Sequence, residues 1–172
     1  MRGYFGVGAE GISKPMNLGA ILRTAHAFGA SFAFTVDAHH KVREVYQADT
    51  AKSVEHVPYY QWDNVEAMAL PDKCRLVGIE LTEDAIELPS FRHPLCAAYV
   101  FGRERGSLTG AIQAQCAHIV KIPTKFCVNV SVACAITLYD RALSLGGFAE
   151  RPLMPGGPVA AAGAEKKFGA HR

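Results

Sequence analysis

Three short segments of this chain place proton- and charge-handling side chains at spacings that could build one site. Asn17 and Arg23 lie six apart in Asn17-Leu-Gly-Ala-Ile-Leu-Arg23, nearly two turns of a helix at about 3.6 residues per turn. An asparagine at a helix start ordinarily caps free backbone amides. Arg23 stands among small and apolar neighbours, where a guanidinium either runs its stem out to water or serves a site. In the second segment, residues 99–109, a strand-like run breaks at Gly102 and carries Glu104 between Arg103 and Arg105. A glycine at a strand end lets the backbone approach a ligand, although the same residues suit a plain surface turn. In the third, residues 120–133, Pro123 stops a strand, and Asn129 and Ser131 stand where a small-residue helix begins. They can cap that helix or face a crevice at the strand ends.

Other clusters have competing readings. Gly6-Val-Gly-Ala-Glu-Gly11 satisfies a GxGxxG pattern, and Asp37 closes the next apolar run, as in a dinucleotide site of an NAD-dependent oxidoreductase. Its third glycine should open a helix at once, whereas Pro15 and Asn17 put the helix start several residues later. His39-His40 has no Cys or carboxylate partner at metal-ligand spacing and reads as a solvated pair. The five cysteines, Cys74, Cys96, Cys116, Cys127 and Cys134, are odd in number and include no CxxC, which favours free thiols in a reducing compartment. No metal is expected.

Net charge is +2, which by itself does not announce a polyanion partner; a nucleic-acid surface would have to be a local patch. Four cations against one acid fall in residues 151–172, so the body is close to neutral. No apolar stretch approaches the ~20 residues that span a bilayer, and the N-terminus lacks a signal-peptide pattern. A soluble cytoplasmic protein is the expectation.

The elements that must position these residues follow from periodicity. Short apolar runs predict strands at 4–8, 31–36, 75–80, 97–101 and 118–122. Leu18, Ile21, Leu22, Ala25 and Phe28 repeat at helical spacing over 17–28, and Gly29 ends the run. Further helices are predicted at 62–70, from Thr109 to about 116, and at 130–145 before Gly146-Gly147. Strand–helix alternation implies an α/β domain, residues 1–150, with a mostly parallel sheet and helices on both faces. Residues 151–172, with three prolines and little apolar periodicity, read as a flexible tail.

Taken together, the three segments resemble the SpoU/TrmH-type RNA 2'-O-ribose methyltransferases of the SPOUT superfamily. They match N-x5-R after the first strand, an FGxE turn, and IP followed by an SLNVSVA-like helix, in order, over roughly residues 3–145. The resemblance implies a C-terminal trefoil knot, S-adenosylmethionine as methyl donor, and RNA as partner, with tRNA favoured over rRNA. It also implies a homodimer packed through the first and last helices. Arg23 falls at the catalytic position, acting on RNA from the subunit opposite the cofactor. Asn17 and Asn129 position substrate and loops, and Glu104 holds Arg23 or accepts a proton. Cofactor contacts fall on Ile79, Gly102, Ile122, Cys127 and Val128. The chain departs from the family at Ser107, where glycine is usual, at Cys127, where serine is usual, and in a shorter segment between Pro123 and Asn129. A further reading is an RNA-binding protein that kept the fold and lost catalysis; the intact Asn17, Arg23, Glu104 and Asn129 weigh against it.

Overall fold

The computed structural model describes residues 3–43, 57–104, 106–146 and 148. Seven strands form one sheet: β1 (Tyr4–Glu10), β2 (Phe32–Val36), β3 (Tyr59–Trp62), β4 (Arg75–Ile79), β5 (Ile86–Glu87), β6 (Cys96–Phe101) and β7 (His118–Lys121). Their order is β3-β2-β1-β6-β4-β7-β5, and every neighbouring pair is parallel. Parallel strands are covered on both faces and so read as unbroken apolar runs; β2, Phe-Ala-Phe-Thr-Val, is buried at every position. Alternate residues then feed two cores. On one face Val7, Ala9, Val77, Ile79 and Phe101 pack with Leu18, Ile21 and Ala25 of α1 (Pro15–Ala27) and Cys134 and Leu138 of α3 (Val130–Leu145). On the other, Phe32, Phe34, Ala98 and Val100 meet Leu108 and Ile112, the latter on α2 (Gly110–Gln115).

The five expected strands are present, as are three of the four expected helices. The fourth is not. Residues 62–70 form no helix; Trp62 ends β3, an edge strand of three aromatics and a glutamine. Those residue types suit a pleated surface, and Trp62 packs on the Phe34 ring at 5.3 Å between centroids. Beyond it the Asn64 side-chain oxygen accepts from Ala67 N at 2.8 Å, a local turn that competes with helix formation.

The dinucleotide reading also falls here. Gly6 and Gly8 lie inside β1, not at a strand-to-helix turn. A Cβ on either would sit 2.2–2.4 Å from ring carbons of Phe32 or Phe34. These glycines exist to admit two rings from the neighbouring strand. The predicted boundary at residue 150 and the tail at 151–172 lie outside the described residues.

One buried cation fixes the end of α3. Arg141, 6% exposed, donates to the carbonyls of Pro94 and Leu95 at 2.6 and 2.8 Å and to the Tyr99 hydroxyl at 3.0 Å. His93 bridges that hydroxyl and Asp140. Burial holds the His93 pKa below its ordinary value, against the opposing pull of Asp140.

Candidate active site

All the strands point the same way, so their C-terminal ends share one edge of the sheet, where ligands of open parallel sheets bind. A crevice of about 260 Å³ opens there. Its apolar wall comes from Ile79, Phe101, Ile122, Val128, Val130 and Ala133, and its polar rim from Lys14, Asn17, Glu80, Arg103, Glu104, Thr124 and Asn129. Eight of the nine sequence-derived site residues therefore line one crevice: Asn17, Ile79, Gly102, Glu104, Ile122, Cys127, Val128 and Asn129. Arg23 does not. It is exposed on α1, six residues past Asn17, or about 9 Å along the axis at about 1.5 Å per residue.

Hydrogen bonds tie the three segments together. One Glu104 oxygen accepts from Asn17 Nδ2 at 2.9 Å and Lys14 N at 3.0 Å. The other accepts from Ser13 N and Ser13 Oγ at 3.1 and 3.0 Å. Asn17 Oδ1 in turn accepts from Asn129 Nδ2 at 3.3 Å. Asn129 Oδ1 caps α3, taking Ser131 N at 2.9 Å and Ser131 Oγ at 2.7 Å.

Asn17 is thus not the cap of α1. Pro15 opens that helix and Lys14 precedes it, without a side-chain cap; a proline there costs no backbone bond. Asn17 sits one turn in and spends its amide on the two other segments. Asn129 is a cap and a bridge at once.

These bonds bear on the charge state of Glu104. Partial burial would raise its pKa, but the Asn17 amide and the Ser13 donors outweigh that and hold it below the ordinary value. A carboxylate with four donors on it and a lowered pKa is a poor proton acceptor. Among the described residues no hydrogen bond or ion pair joins it to Arg23. Its place beside the start of α1 also matches a negative charge to the positive end of the helix.

Two carboxylates escaped the reading of the sequence. Glu80, following β4, accepts from Leu108 N at 2.8 Å and Leu81 N at 3.0 Å. Glu10, 2% exposed at the end of β1, accepts from Thr109 N at 2.8 Å and Thr109 Oγ1 at 2.5 Å. Together they anchor the loop after β6 to its neighbouring strands. The available signal was an acid closing each of two apolar runs, Gly-Val-Gly-Ala-Glu and Leu-Val-Gly-Ile-Glu.

The lining suits a ligand with both apolar and polar parts, met by backbone at the strand ends. At Gly102 an added Cβ would stand 3.2 Å from Leu108 N and 3.5 Å from Glu80 Oε2. Gly102 also lines the crevice, so the chain just past β6 presents bare backbone there. Cys127 is exposed on its rim, while burial pushes the Cys116 and Cys134 thiols up to about 12.

A parallel α/β sheet with a crevice fed by these three segments defines a class of fold, and comparison with known proteins identifies it. Residues 5–139 match the SpoU rRNA Methylase family. The chain belongs to that family. It is 29% identical over 139 residues to the 23S rRNA (guanosine-2'-O-)-methyltransferase RlmB of Coxiella burnetii, covering 76% of this chain and 55% of the relative. It is 30% identical over 137 residues to the RlmB of Acinetobacter baylyi, covering 75% and 55%. The chain thus spans about half the length of these curated relatives. Among solved structures, the SpoU methyltransferase AviRb of Streptomyces viridochromogenes, in complex with AdoMet, superposes with a TM-score of 0.70 at 22% identity, covering 87% of this chain and 60% of that one. A structure concerned with 2-OH methylation of C/U34 on tRNA superposes at 0.68 and 21% identity, covering 86% and 100%. Both share the SPOUT fold with this chain.

Proposed function

We propose that the chain is an RNA methyltransferase that uses S-adenosylmethionine to methylate a ribose 2'-hydroxyl in structured RNA, with tRNA ahead of rRNA. The observation that carries this reading is the convergence of Asn17, Glu104 and Asn129, far apart in sequence, on one hydrogen-bonded chain beside the crevice. Family membership supports methyl transfer to RNA, and the 2'-hydroxyl is the acceptor named for the curated relatives. The tRNA preference draws on the likeness that spans the whole of the tRNA-directed structure.

When bound, the cofactor supplies an electrophilic methyl group. The apolar wall, Val128 included, and the strand-end backbone at Ile79, Gly102 and Ile122 would hold its flat portion, with Cys127 on the rim. The attacking hydroxyl loses its proton as it reacts, to a phosphate oxygen of the RNA or to water. A guanidinium keeps its proton and is a poor base; the role of Arg23 is to fix the RNA phosphate and stabilise developing negative charge. Asn17, Glu104 and Asn129 keep the loops around the crevice in register.

Arg23 is not among the residues that line its own crevice, and on this reading it serves the crevice of a second subunit. On α1, Met16, Ala20, Arg23 and Ala27 follow one helical stripe, with Met16 82% exposed. On α3, Val132, Ile136 and Tyr139 form another exposed stripe. These faces support a homodimer through α1 and α3 in which each Arg23 serves the partner's crevice.

Calorimetric titration with S-adenosylhomocysteine, followed by nucleoside mass spectrometry of tRNA and rRNA from cells with and without the gene, tests the reading. Expected are binding and the loss of one 2'-O-methylnucleoside. Arg23→Ala and Arg23→Lys should both abolish turnover while cofactor binding persists, since a point charge does not replace the planar fork. Loss of a base methylation with every ribose methylation intact would overturn the acceptor, and full activity in Arg23→Lys would overturn the fork.

A further inference from the structure

Next to the crevice lies a second one, about 390 Å³, lined by Gly11, Asp37, His39, His40, Arg43 and Arg103. Arg103 lines both. Its side chain is cradled by two glycines with left-handed backbone. A Cβ on Gly11 (φ +61°) would sit 3.0 Å from Arg103 Nε and 3.1 Å from Nη2; one on Gly106 (φ +133°) would sit 3.1 Å from Cδ and 3.3 Å from Cγ. The bare backbone at these positions gives the arginine its place.

The charges in this crevice are unequal. Arg43 is spent, with Nη1 on Asp63 at 2.6 Å and Nε on the Ala38 carbonyl at 2.7 Å. Arg103 has no hydrogen bond or ion pair among the described residues. It is thus a planar fork with no hydrogen-bond or ion-pair partner among the described residues, set between two cavities and suited to a phosphodiester. Also lining it, the His39 and His40 rings lie 4.0 Å apart, tilted by 39°, an aromatic face of the kind on which unstacked bases rest. Asp37, held at φ +49°, adds an acceptor.

Resting on the methyltransferase reading, we infer that this second crevice is a subsite for the nucleotide next to the one methylated, with Arg103 holding the phosphate between them. The methylated ribose occupies the first crevice and the neighbouring base lies against the histidine pair. Arg103 acts as a positioning residue for RNA, not for the cofactor.

The test compares wild type with Arg103→Ala, Arg103→Lys and Gly11→Ala, each checked for an unchanged melting curve. It reads filter binding of tRNA and rRNA across a salt series, methyl-transfer KM and kcat, and calorimetric binding of S-adenosylhomocysteine. Arg103→Ala should weaken RNA binding and raise KM roughly ten- to a hundredfold, the loss of a charged hydrogen-bonded contact, and lower the salt slope by about one. S-adenosylhomocysteine binding should stay within twofold. Arg103→Lys should restore the slope and only part of the affinity. Gly11→Ala, which pushes into the guanidinium, should move RNA binding in the same direction by less. Unchanged RNA binding and slope in Arg103→Ala would overturn the subsite. An equal loss of S-adenosylhomocysteine binding would overturn it too, by assigning Arg103 to the cofactor's carboxylate. RNA binding is read without turnover, so the subsite stands or falls even where wild type transfers no methyl group; that last result would sink the methyltransferase reading instead.

Discussion

Replacing Glu104 by glutamine probes the junction of the three segments with almost no change of shape. The carboxylate accepts four donors, two on each oxygen. A glutamine keeps one oxygen, which can stay on Lys14 N and Asn17 Nδ2. Its NH2 then faces Ser13, whose hydroxyl can turn to accept but whose backbone N–H cannot. Three of the four bonds are exposed, and water replaces them at small cost. The part-buried bond from Asn17 weakens when its acceptor loses charge, and the start of α1 loses a negative neighbour. Together these amount to about 2 kcal/mol, or a fall in Tm of roughly 4–8 °C for a domain of this size.

The pH dependence is more telling than the size. The Glu104 pKa is lowered from 4.5 in the folded state. Its stabilisation is therefore complete above the unfolded value and is lost as pH falls through the lower folded value. Glutamine does not titrate. Thermal unfolding of both proteins from pH 8 to pH 3.5 should show a constant gap down to about pH 5. Below 4.5 the gap should shrink. A gap unchanged down to pH 3.5, or none at pH 7, would refute the assignment of Glu104 as an ionised clamp.

Two further substitutions or modifications test other parts of the structure. Gly8→Ala puts a methyl 2.4 Å from the Phe34 ring in a central strand and should cost about 1–3 kcal/mol; an unchanged Tm would show that the ring moves freely. Brief treatment of the native protein with iodoacetamide should label exposed Cys127 and spare Cys116 and Cys134, whose thiols burial pushes up to about 12. Peptide mass spectrometry reads this, and early labelling of Cys134 would contradict its place in the core.

Legibility in the sequence followed the range of the forces involved. Apolar periodicity gave α1, α3 and the central strands, because residues such as Leu18, Ile21 and Ala25 are buried by their own spacing. It failed at residues 62–70, where Trp62 belongs to an edge strand and packs on Phe34, and the chain beyond it turns at Asn64. The site residues were legible as three motifs, yet their partners were not. Glu10 reaches Thr109 across 99 residues and Glu80 reaches Leu108 across 28; no local pattern announces which loop a strand-end acid will hold. Asn17 shows the same limit from the other side: its helix-start position suggested a cap, and only the fold brings Glu104 and Asn129 to its amide.

These contacts divide the labour of the site. The crevice is built from fixed parts: strand ends, two anchoring carboxylates, and the chain Ser131, Asn129, Asn17, Glu104. Its polar groups mostly satisfy one another, which leaves little on its walls to act on an incoming hydroxyl. Two cations without a carboxylate partner among the described residues stand at its margin or beyond it, Arg103 at the mouth between two cavities and Arg23 on the exposed face of α1. A polyanion such as RNA is what such cations would engage, at positions the crevice does not enclose. On the proposed function the crevice is the place for the methyl donor and the outlying arginines are the groups that bring the RNA. That proposal calls for a dimer through α1 and α3, because Arg23 is not among the residues that line its own crevice.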